Sequence, residues 1–314
     1  MKTLWVKRTD SSSYFPADFS ELERQALEAV EGIRYLPLEA NIPQDVPLCL
    51  LTNTHTRLDK WLSFRPQVEL VLHPNSGMDN LAPHLVDWKM PVVLGNPIRA
   101  QAVAEWVLGC LFQHFAPIVH HSVWPLGRQW DRPRLQDQKV LLIGHGHVGQ
   151  LVNHFLQGLG VQVVVQDPHH GQGTDLHRAW DVVILLASCN PGSERMLDEK
   201  FFAHAATNLL LINPARAELI DESAIRVFLK RNPQARAYLD VHQREPYPAR
   251  YWDDCPQVVA TPHVAGVWQG LIPAMLAFEA QTLRSWLQLD PSTFKTQHAD
   301  LMAHSRMTDK GWYR

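Results

Sequence analysis

Val140-Leu141-Leu142-Ile143-Gly144-His145-Gly146-His147-Val148-Gly149 reads as an apolar strand, a GxGxxG turn and the opening of a helix. A short apolar run that stops at glycine suits a strand buried on both faces of a parallel sheet. The helical pattern continues over residues 148–158, and a second strand follows over 161–166. Further apolar runs at 182–187, 209–212, 237–239 and 258–260 extend the series, with helical patterns between some of them. Repeated β-α-β units imply one open parallel sheet. Upstream, runs at 4–6, 48–51, 68–72 and 92–94 predict a separate set of strands. Residues 20–30 predict a helix in which Ser20 and Glu23 have the spacing of a capping box. Residues 100–115 are apolar around most of a helical circumference, which predicts a helix buried between domains or between subunits. A polar connector with two prolines follows over 127–138, and residues 271–287 form one long helical pattern after the last strand. The fold class is therefore α/β, with domain boundaries near 98 and 268.

Composition narrows the function classes. The chain has 314 residues, 46% of them hydrophobic, and a net charge of -3 from 29 basic and 32 acidic residues. That is enough apolar material for two cores, and it offers no basic field for nucleic acid or an anionic membrane. Four dispersed cysteines, Cys49, Cys110, Cys189 and Cys255, form no CxxC pair and fit free thiols in a reducing compartment. The N-terminal stretch lacks the apolar core of a signal peptide, and no run approaches the ~18 apolar residues of a membrane span. The expectation is a soluble, cytoplasmic protein.

In the glycine turn each position has a physical reason. Gly144 permits the tight turn, Gly146 lets the backbone approach a pyrophosphate, and Gly149 lets the helix lie close to the strand. The helix N-terminus, with the backbone N–H of His147, presents donors and partial positive charge to phosphate. Asp167 ends the second strand 18 residues beyond Gly149, near the spacing of a carboxylate that binds the adenosine ribose hydroxyls. Such a carboxylate repels a 2′-phosphate, so NAD is expected as the cofactor. The neighbouring imidazoles of His169 and His170 keep NADP open as the less favoured choice.

Three polar segments follow apolar strands further on: Asn213-Pro214-Ala215-Arg216, Asp240-Val241-His242-Gln243-Arg244-Glu245-Pro246 and Thr261-Pro262-His263-Val264-Ala265-Gly266. The carboxyl ends of strands line the ligand crevice of an open α/β sheet, so all three converge on the edge that carries the glycine turn. Arg216, Glu245 and His263 do not form a metal site, because arginine is a poor ligand and no further cysteine or carboxylate cluster accompanies them.

With these segments the chain resembles the D-isomer-specific 2-hydroxyacid dehydrogenase family, which includes glyoxylate/hydroxypyruvate reductases and phosphoglycerate dehydrogenases. The resemblance runs through His73-Pro74-Asn75-Ser76-Gly77-Met78-Asp79-Asn80, residues 96–105, the glycine turn, and the Arg, Glu and His segments in family order. It implies two doubly wound parallel-sheet domains with the active site in the cleft between them. A Rossmann-type NAD-binding domain (99–267) would be inserted in a flavodoxin-like substrate domain (1–98 and 268–314). It also implies a homodimer, for which the apolar helix at 100–115 is a candidate core. By the same resemblance His263 is the general acid of 2-oxo acid reduction and the base of the reverse reaction. Glu245 orients it, and Arg216 binds the substrate carboxylate and polarises the C2 oxygen. Asn75, Ser76 and Gly77 hold the carboxylate from the opposite side. Val148, Asn190, Ala215, Asp240 and Gly266 join the glycine turn and Asp167 along the cofactor.

Three departures stand out. Ala217 follows Arg216 where the family has glycine, residues 188–193 (SCNPGS) replace a Pro-Leu-Thr-Pro-type run, and Val267-Trp268 follow Gly266 in place of a small hydroxyl residue. Trp268 either shapes the substrate pocket or simply packs. The expected function is NAD-dependent interconversion of a small 2-oxo acid and its D-2-hydroxy acid. Its alternative is an NAD(H)-sensing regulatory protein of the same fold without significant turnover.

Overall fold

A computed structural model describes the chain outside residues 1, 13–14, 86–89, 125, 128–131, 169–170, 172 and 308–314. His169 and His170, weighed above for NADP, lie outside the described residues, as does part of the 127–138 connector. The chain forms two compact units, Met1–Arg99 with Trp268–Arg314, and Ala100–Val267.

The first unit is a five-stranded, all-parallel sheet. Its strands are β1 (Leu4–Arg8), β2 (Ile33–Leu36), β3 (Leu48–Leu51), β4 (Val68–His73) and β5 (Val92–Leu94), in the order β2-β1-β3-β4-β5. This 2-1-3-4-5 order is the flavodoxin-like arrangement. Alternation along the strands feeds two cores. Leu4, Val6, Cys49, Leu51, Leu70, Leu72 and Val93 share one with Leu27 of α1 (Phe19–Glu28) and Leu283 and Trp286 of a returning C-terminal helix. Leu48, Leu50, Val71, Val92 and Leu94 share the other with Leu85 of α2 (Ala82–Leu85), Met78 and Ala303. Strands apolar on both faces have this reading in a sheet covered on both sides.

The expected capping box at Ser20 does not form. Helix α1 starts one residue earlier, at Phe19, with Asp18 at the cap and no side-chain cap bond. Glu23 points inward instead. It is 1% exposed, accepts from Arg8 Nε at 2.6 Å and from the Tyr35 hydroxyl at 2.7 Å. Arg8 also donates to Glu279 at 2.8 Å. A buried guanidinium needs carboxylate partners, and that demand overrides local capping.

The second unit is a six-stranded parallel sheet. Its strands are β6 (Val140–Ile143), β7 (Val163–Gln166), β8 (Val182–Leu185), β9 (Leu210–Asn213), β10 (Arg236–Leu239) and β11 (Val258–Ala260), in the order β11-β10-β9-β8-β6-β7. Val140, Leu142, Val182, Ile184, Leu210 and Ile212 face α3 (Asn96–Phe115) and α4 (His147–Gly158). Leu141, Ile143, Val183, Leu185, Leu211 and Leu239 face α5 (Glu199–His204) and α6 (Glu222–Arg231). Helices on both faces make the sheet doubly wound. Asp198 and Asp221 cap α5 and α6 by accepting backbone N–H groups of the first turn, each contribution about 1 kcal/mol.

Helix α3 packs Ala104, Val107, Cys110, Leu111 and Phe115 on its own unit's sheet and leaves Phe112 exposed. The connection from β7 to β8 spans only residues 167–181 and contains no α-helix among its described residues. Relative to the usual dinucleotide-binding order, 3-2-1-4-5-6, the sheet has no strand beyond β7 among the described residues and carries β11 as an added strand at its other edge. In the first unit, α7 (Leu271–Gln288) and α8 (Pro291–Gln297) are the last α-helices among the described residues. Trp286 and Phe294 meet edge-to-face at 4.9 Å.

Candidate active site

Strands β6 and β8 are neighbours, with β7 beyond one and β9 beyond the other. Chain connections leave the β6–β8 pair in opposite directions, which opens a crevice at their carboxyl ends. The glycine turn sits there. Gly144 has φ +98°, and a Cβ on it would stand 2.5 Å from Ala187 N and Leu186 C. A Cβ on Gly149 would meet Gly144 O at 2.2 Å. Both positions thus require glycine for chain geometry. Gly146 is different: a Cβ there would meet nothing within 4 Å. Its exposed face is open space at the start of α4, above backbone N–H groups with no helical partner. The residues fit a pyrophosphate cradle.

Asp167 is 8% exposed, and its Oδ2 accepts the His145 backbone N–H at 2.7 Å. The carboxylate at the end of β7 is thereby pinned to the glycine turn. Exposed His147 and half-buried Val148 open α4. Half-buried Asn190 folds its own loop, its Oδ1 accepting from Gly192 N at 2.8 Å.

Arg216, Glu245 and His263 follow β9, β10 and β11, three adjacent parallel strands, so all three leave the same edge of the sheet. Glu245 and His263 are brought together: His263 Nδ1 lies 2.8 Å from Glu245 Oε2, with side chains 50% and 37% exposed. A carboxylate only accepts, so Nδ1 carries the proton and Nε2 is the atom left for exchange. Glu245 Oε1 accepts the His242 backbone N–H at 2.9 Å. Burial pushes the Glu245 carboxyl up, but the His263 hydrogen bond and the His242 N–H prevail and hold it below the ordinary carboxylate range.

The turn bearing His263 is under tension. His263 has φ +55°, in the left-handed region that costs a non-glycine residue about 1 kcal/mol or more. Asp240 holds it there. Its buried carboxylate accepts from Thr261 Oγ1 at 2.6 Å, Val264 N at 2.8 Å and Ala265 N at 2.8 Å. Asp240, read from the sequence as a cofactor contact, is thus seen to bind residues 261–265. Gly266, half-buried, closes that segment.

Arg216 donates from Nη1 to its neighbour's carbonyl, Ala215 O, at 2.7 Å, while Asn213 Nδ2 donates to Arg216 O at 2.8 Å. Asn213 Oδ1 also accepts Ala215 N at 3.0 Å. Fully buried Asn213 therefore shapes the loop that presents Ala215 and Arg216.

In the first unit, residues 73–77 follow β4. Buried His73 bonds through Nε2 to Gly77 O at 2.8 Å and through Nδ1 to Thr52 Oγ1 at 2.9 Å. Arg306 Nη1 donates to Ser76 O at 2.8 Å, and Arg99 Nη1 to Pro74 O at 2.7 Å. With these carbonyls engaged, the loop is fixed. Asn75 is 8% exposed, and its amide Nδ2 has no hydrogen-bond partner among the described residues.

Sequence reading missed His73, Arg306, Asn213 and His242. Neither motif spacing nor periodicity singles out a residue that acts on a loop from another strand. Trp268 is 44% exposed, and its ring fills the space where a Cβ on Gly270 would go, 2.2 Å away.

Comparison with known proteins places this geometry. Residues 112–265 match the model of the D-isomer specific 2-hydroxyacid dehydrogenase NAD binding domain. The chain is 27% identical over 266 residues to (S)-sulfolactate dehydrogenase of Chromohalobacter salexigens, covering 77% of this chain and 82% of that protein. It is 22% identical over 280 residues to glyoxylate reductase of Thermococcus kodakarensis, covering 79% and 84%. A solved structure of D-lactate dehydrogenase from Aquifex aeolicus, complexed with NAD and lactic acid, superposes with a TM-score of 0.69 at 15% identity, covering 95% of this chain and 98% of that one. That last likeness establishes the fold.

Proposed function

We propose that this chain, similar over residues 112–265 to the D-isomer-specific 2-hydroxyacid dehydrogenase NAD binding domain, reduces a small 2-oxo acid to its D-2-hydroxy acid at Glu245, His263 and Arg216. The observation that carries this reading is the 2.8 Å bond between His263 Nδ1 and Glu245 Oε2, on the sheet edge that also holds the glycine turn. A reduced nicotinamide dinucleotide supplies the hydride when bound. The remaining work falls to this chain's own groups. Gly144, Gly146, Gly149 and the start of α4 take the pyrophosphate. Asp167 takes the ribose hydroxyls, which favours NAD over NADP.

Charge builds on the substrate C2 oxygen as the ketone is reduced. His263 Nε2 delivers a proton to that oxygen, a contribution of about 10²–10⁴-fold. Glu245 keeps Nδ1 protonated, so Nε2 faces the reaction with a defined role. The Arg216 guanidinium pairs with the substrate carboxylate through its planar fork and stabilises the developing charge. Asn75 Nδ2, which has no partner among the described residues, and the backbone N–H groups of Ser76 and Gly77 bind the same carboxylate. The reverse reaction uses His263 as base.

The substrate class is a small, hydrophilic 2-oxo acid such as glyoxylate or hydroxypyruvate. Sulfopyruvate joins it because a similar protein carries the name sulfolactate dehydrogenase. The site belongs in the cytoplasm, in line with four free cysteines. A homodimer is part of the same reading: Phe112, Ile118, Val119, Val123, Trp124 and Leu126 are large apolar residues left exposed at and beyond the end of α3, a pattern of an unfilled interface. Sedimentation would give twice the monomer mass.

The deciding experiment follows nicotinamide absorbance with NADH and NADPH against a panel of 2-oxo acids. Turnover of at least one acid, faster with NADH, is expected. Tight NADH binding with no oxidation across the panel would replace this reading with a dinucleotide sensor.

A further inference from the structure

His242 bonds to Glu245 and to the turn that carries His263. It is 6% exposed, follows β10 by three residues and carries an imidazole where the chain needs only an apolar filler. Its ring is bonded at both nitrogens. Trp252 Nε1 donates to His242 Nδ1 at 3.2 Å, and His242 Nε2 lies 3.0 Å from Thr261 O. An indole N–H can only donate and a carbonyl can only accept. Only one form satisfies both: the neutral imidazole with its proton on Nε2.

That form touches both members of the pair. The His242 backbone N–H holds Glu245 Oε1 at 2.9 Å. Its ring holds Thr261 O, the carbonyl that also accepts His263 N at 3.0 Å in the turn that forces His263 to φ +55°. The ring therefore acts on the strained turn from one side, while Asp240 acts on it from the other through Thr261 Oγ1, Val264 N and Ala265 N.

The outer shell is built to keep the ring in place. The Arg226 guanidinium lies 4.0 Å from the Trp252 ring centroid and is itself paired with Glu222 and Asp254. Tyr247 meets the His242 ring edge-to-face at 4.4 Å. The small cavity beside His242 and Trp252 has about 20 Å³ of room, enough for one water and far below a ligand pocket.

We propose that His242, locked as the neutral Nε2–H imidazole between Trp252 and Thr261, is a positioning residue that sets the geometry of the Glu245–His263 pair. The kinetic arm of its test rests on the redox reading above; the spectroscopic arm does not. Phe at 242 keeps the volume and loses both ring bonds. Gln keeps one donor and one acceptor at nearly the same places. His242→Phe should lower kcat about 10-fold or more with KM changed less than about 3-fold, since small displacements of a reacting group are this costly. His242→Gln should recover to within about 3-fold of wild type. In proton–nitrogen NMR of the unliganded wild type at pH 8, the neutral His242 ring should show the Nε2–H pattern. The downfield His263 Nδ1 proton bonded to Glu245 should be present in wild type and His242→Gln, and lost to exchange in His242→Phe. Should His242→Phe fail to fold, Trp252→Phe removes the donor to Nδ1 alone and should mix the His242 tautomers. Wild-type kcat in folded His242→Phe, or an intact His263 Nδ1 signal in it, overturns the proposal. So does a His242 ring found with its proton on Nδ1. Absence of turnover in the wild type would count against the redox reading, while the NMR result would still decide the role of His242.

Discussion

His263 and Glu245 are joined by a 2.8 Å hydrogen bond between Nδ1 and Oε2, although they lie 18 residues apart on loops that leave different strands. The bond gives the two nitrogens of His263 different jobs: one is tied to the carboxylate, the other is left for proton exchange. His263→Ala should cut kcat by about 10² or more. NADH affinity, read by fluorescence titration, should stay within about 3-fold, because the glycine turn and Asp167 are untouched. Equal turnover in both proteins would remove His263 from the chemistry.

Arg216 should not tolerate lysine. Its loop is set by Asn213, and its role needs a planar pair of donors that an ammonium does not present. Arg216→Lys should lower kcat/KM for the 2-oxo acid by 10-fold or more, about 1.4 kcal/mol of transition-state stabilisation, with no change in thermal midpoint. Steady-state kinetics on the variant checks this; a change below 2-fold would show that the guanidinium does not bind the carboxylate.

In the proposed function Asp167 sets the cofactor choice. Asp167→Ala should reduce the NADH-to-NADPH preference in kcat/KM by 10-fold or more by removing a carboxylate that repels a 2′-phosphate. The same change frees the His145 N–H, so a loss with both cofactors is expected alongside the altered ratio. An unaltered ratio would detach Asp167 from the ribose.

The buried Arg8–Glu23–Glu279 cluster predicts a pH-dependent stability. Burial, followed by the opposing pull of Arg8 and the repulsion of Glu23, leaves Glu279 raised from 4.5 to about 7. The folded state holds this proton more tightly than the unfolded chain. Stability from this group is therefore full below about pH 4.5 and declines as pH rises through about 7. Glu279→Gln leaves one carboxylate for one guanidinium and should flatten the decline of the thermal midpoint between about pH 5 and 8. Arg8→Met leaves two buried carboxylates without their cation and should destabilise by about 3–5 kcal/mol. Thermal melts across pH test both; a decline of unchanged slope in Glu279→Gln would assign the pH dependence elsewhere.

Much of this was legible in the chain itself. Apolar runs such as VLLI at 140–143 and VVIL at 182–185 are buried on both faces, and a run of that kind between glycine and a helical pattern has few other readings. Strand β2 (Ile33–Leu36) escaped because four residues with a buried-exposed-buried start carry too little periodicity. The capping box failed at Glu23 because a tertiary demand, the buried Arg8, outweighs a local preference of about 1 kcal/mol. Arg216, Glu245 and His263 stand out in the chain because each follows a strand, in an order that resembles the family's. His242 does not, because its importance lies in which two groups flank its ring, and both come from residues 10 and 19 positions away.

The most direct test of the account transfers a label. Reduction of a turned-over 2-oxo acid with NADH deuterated at C4, followed by mass spectrometry and chiral analysis of the product, should find deuterium at C2 of the D-2-hydroxy acid, with product formation slowed by about 10² or more in His263→Ala. Product without the label at C2, product of the L configuration, or equal yield from His263→Ala would contradict it.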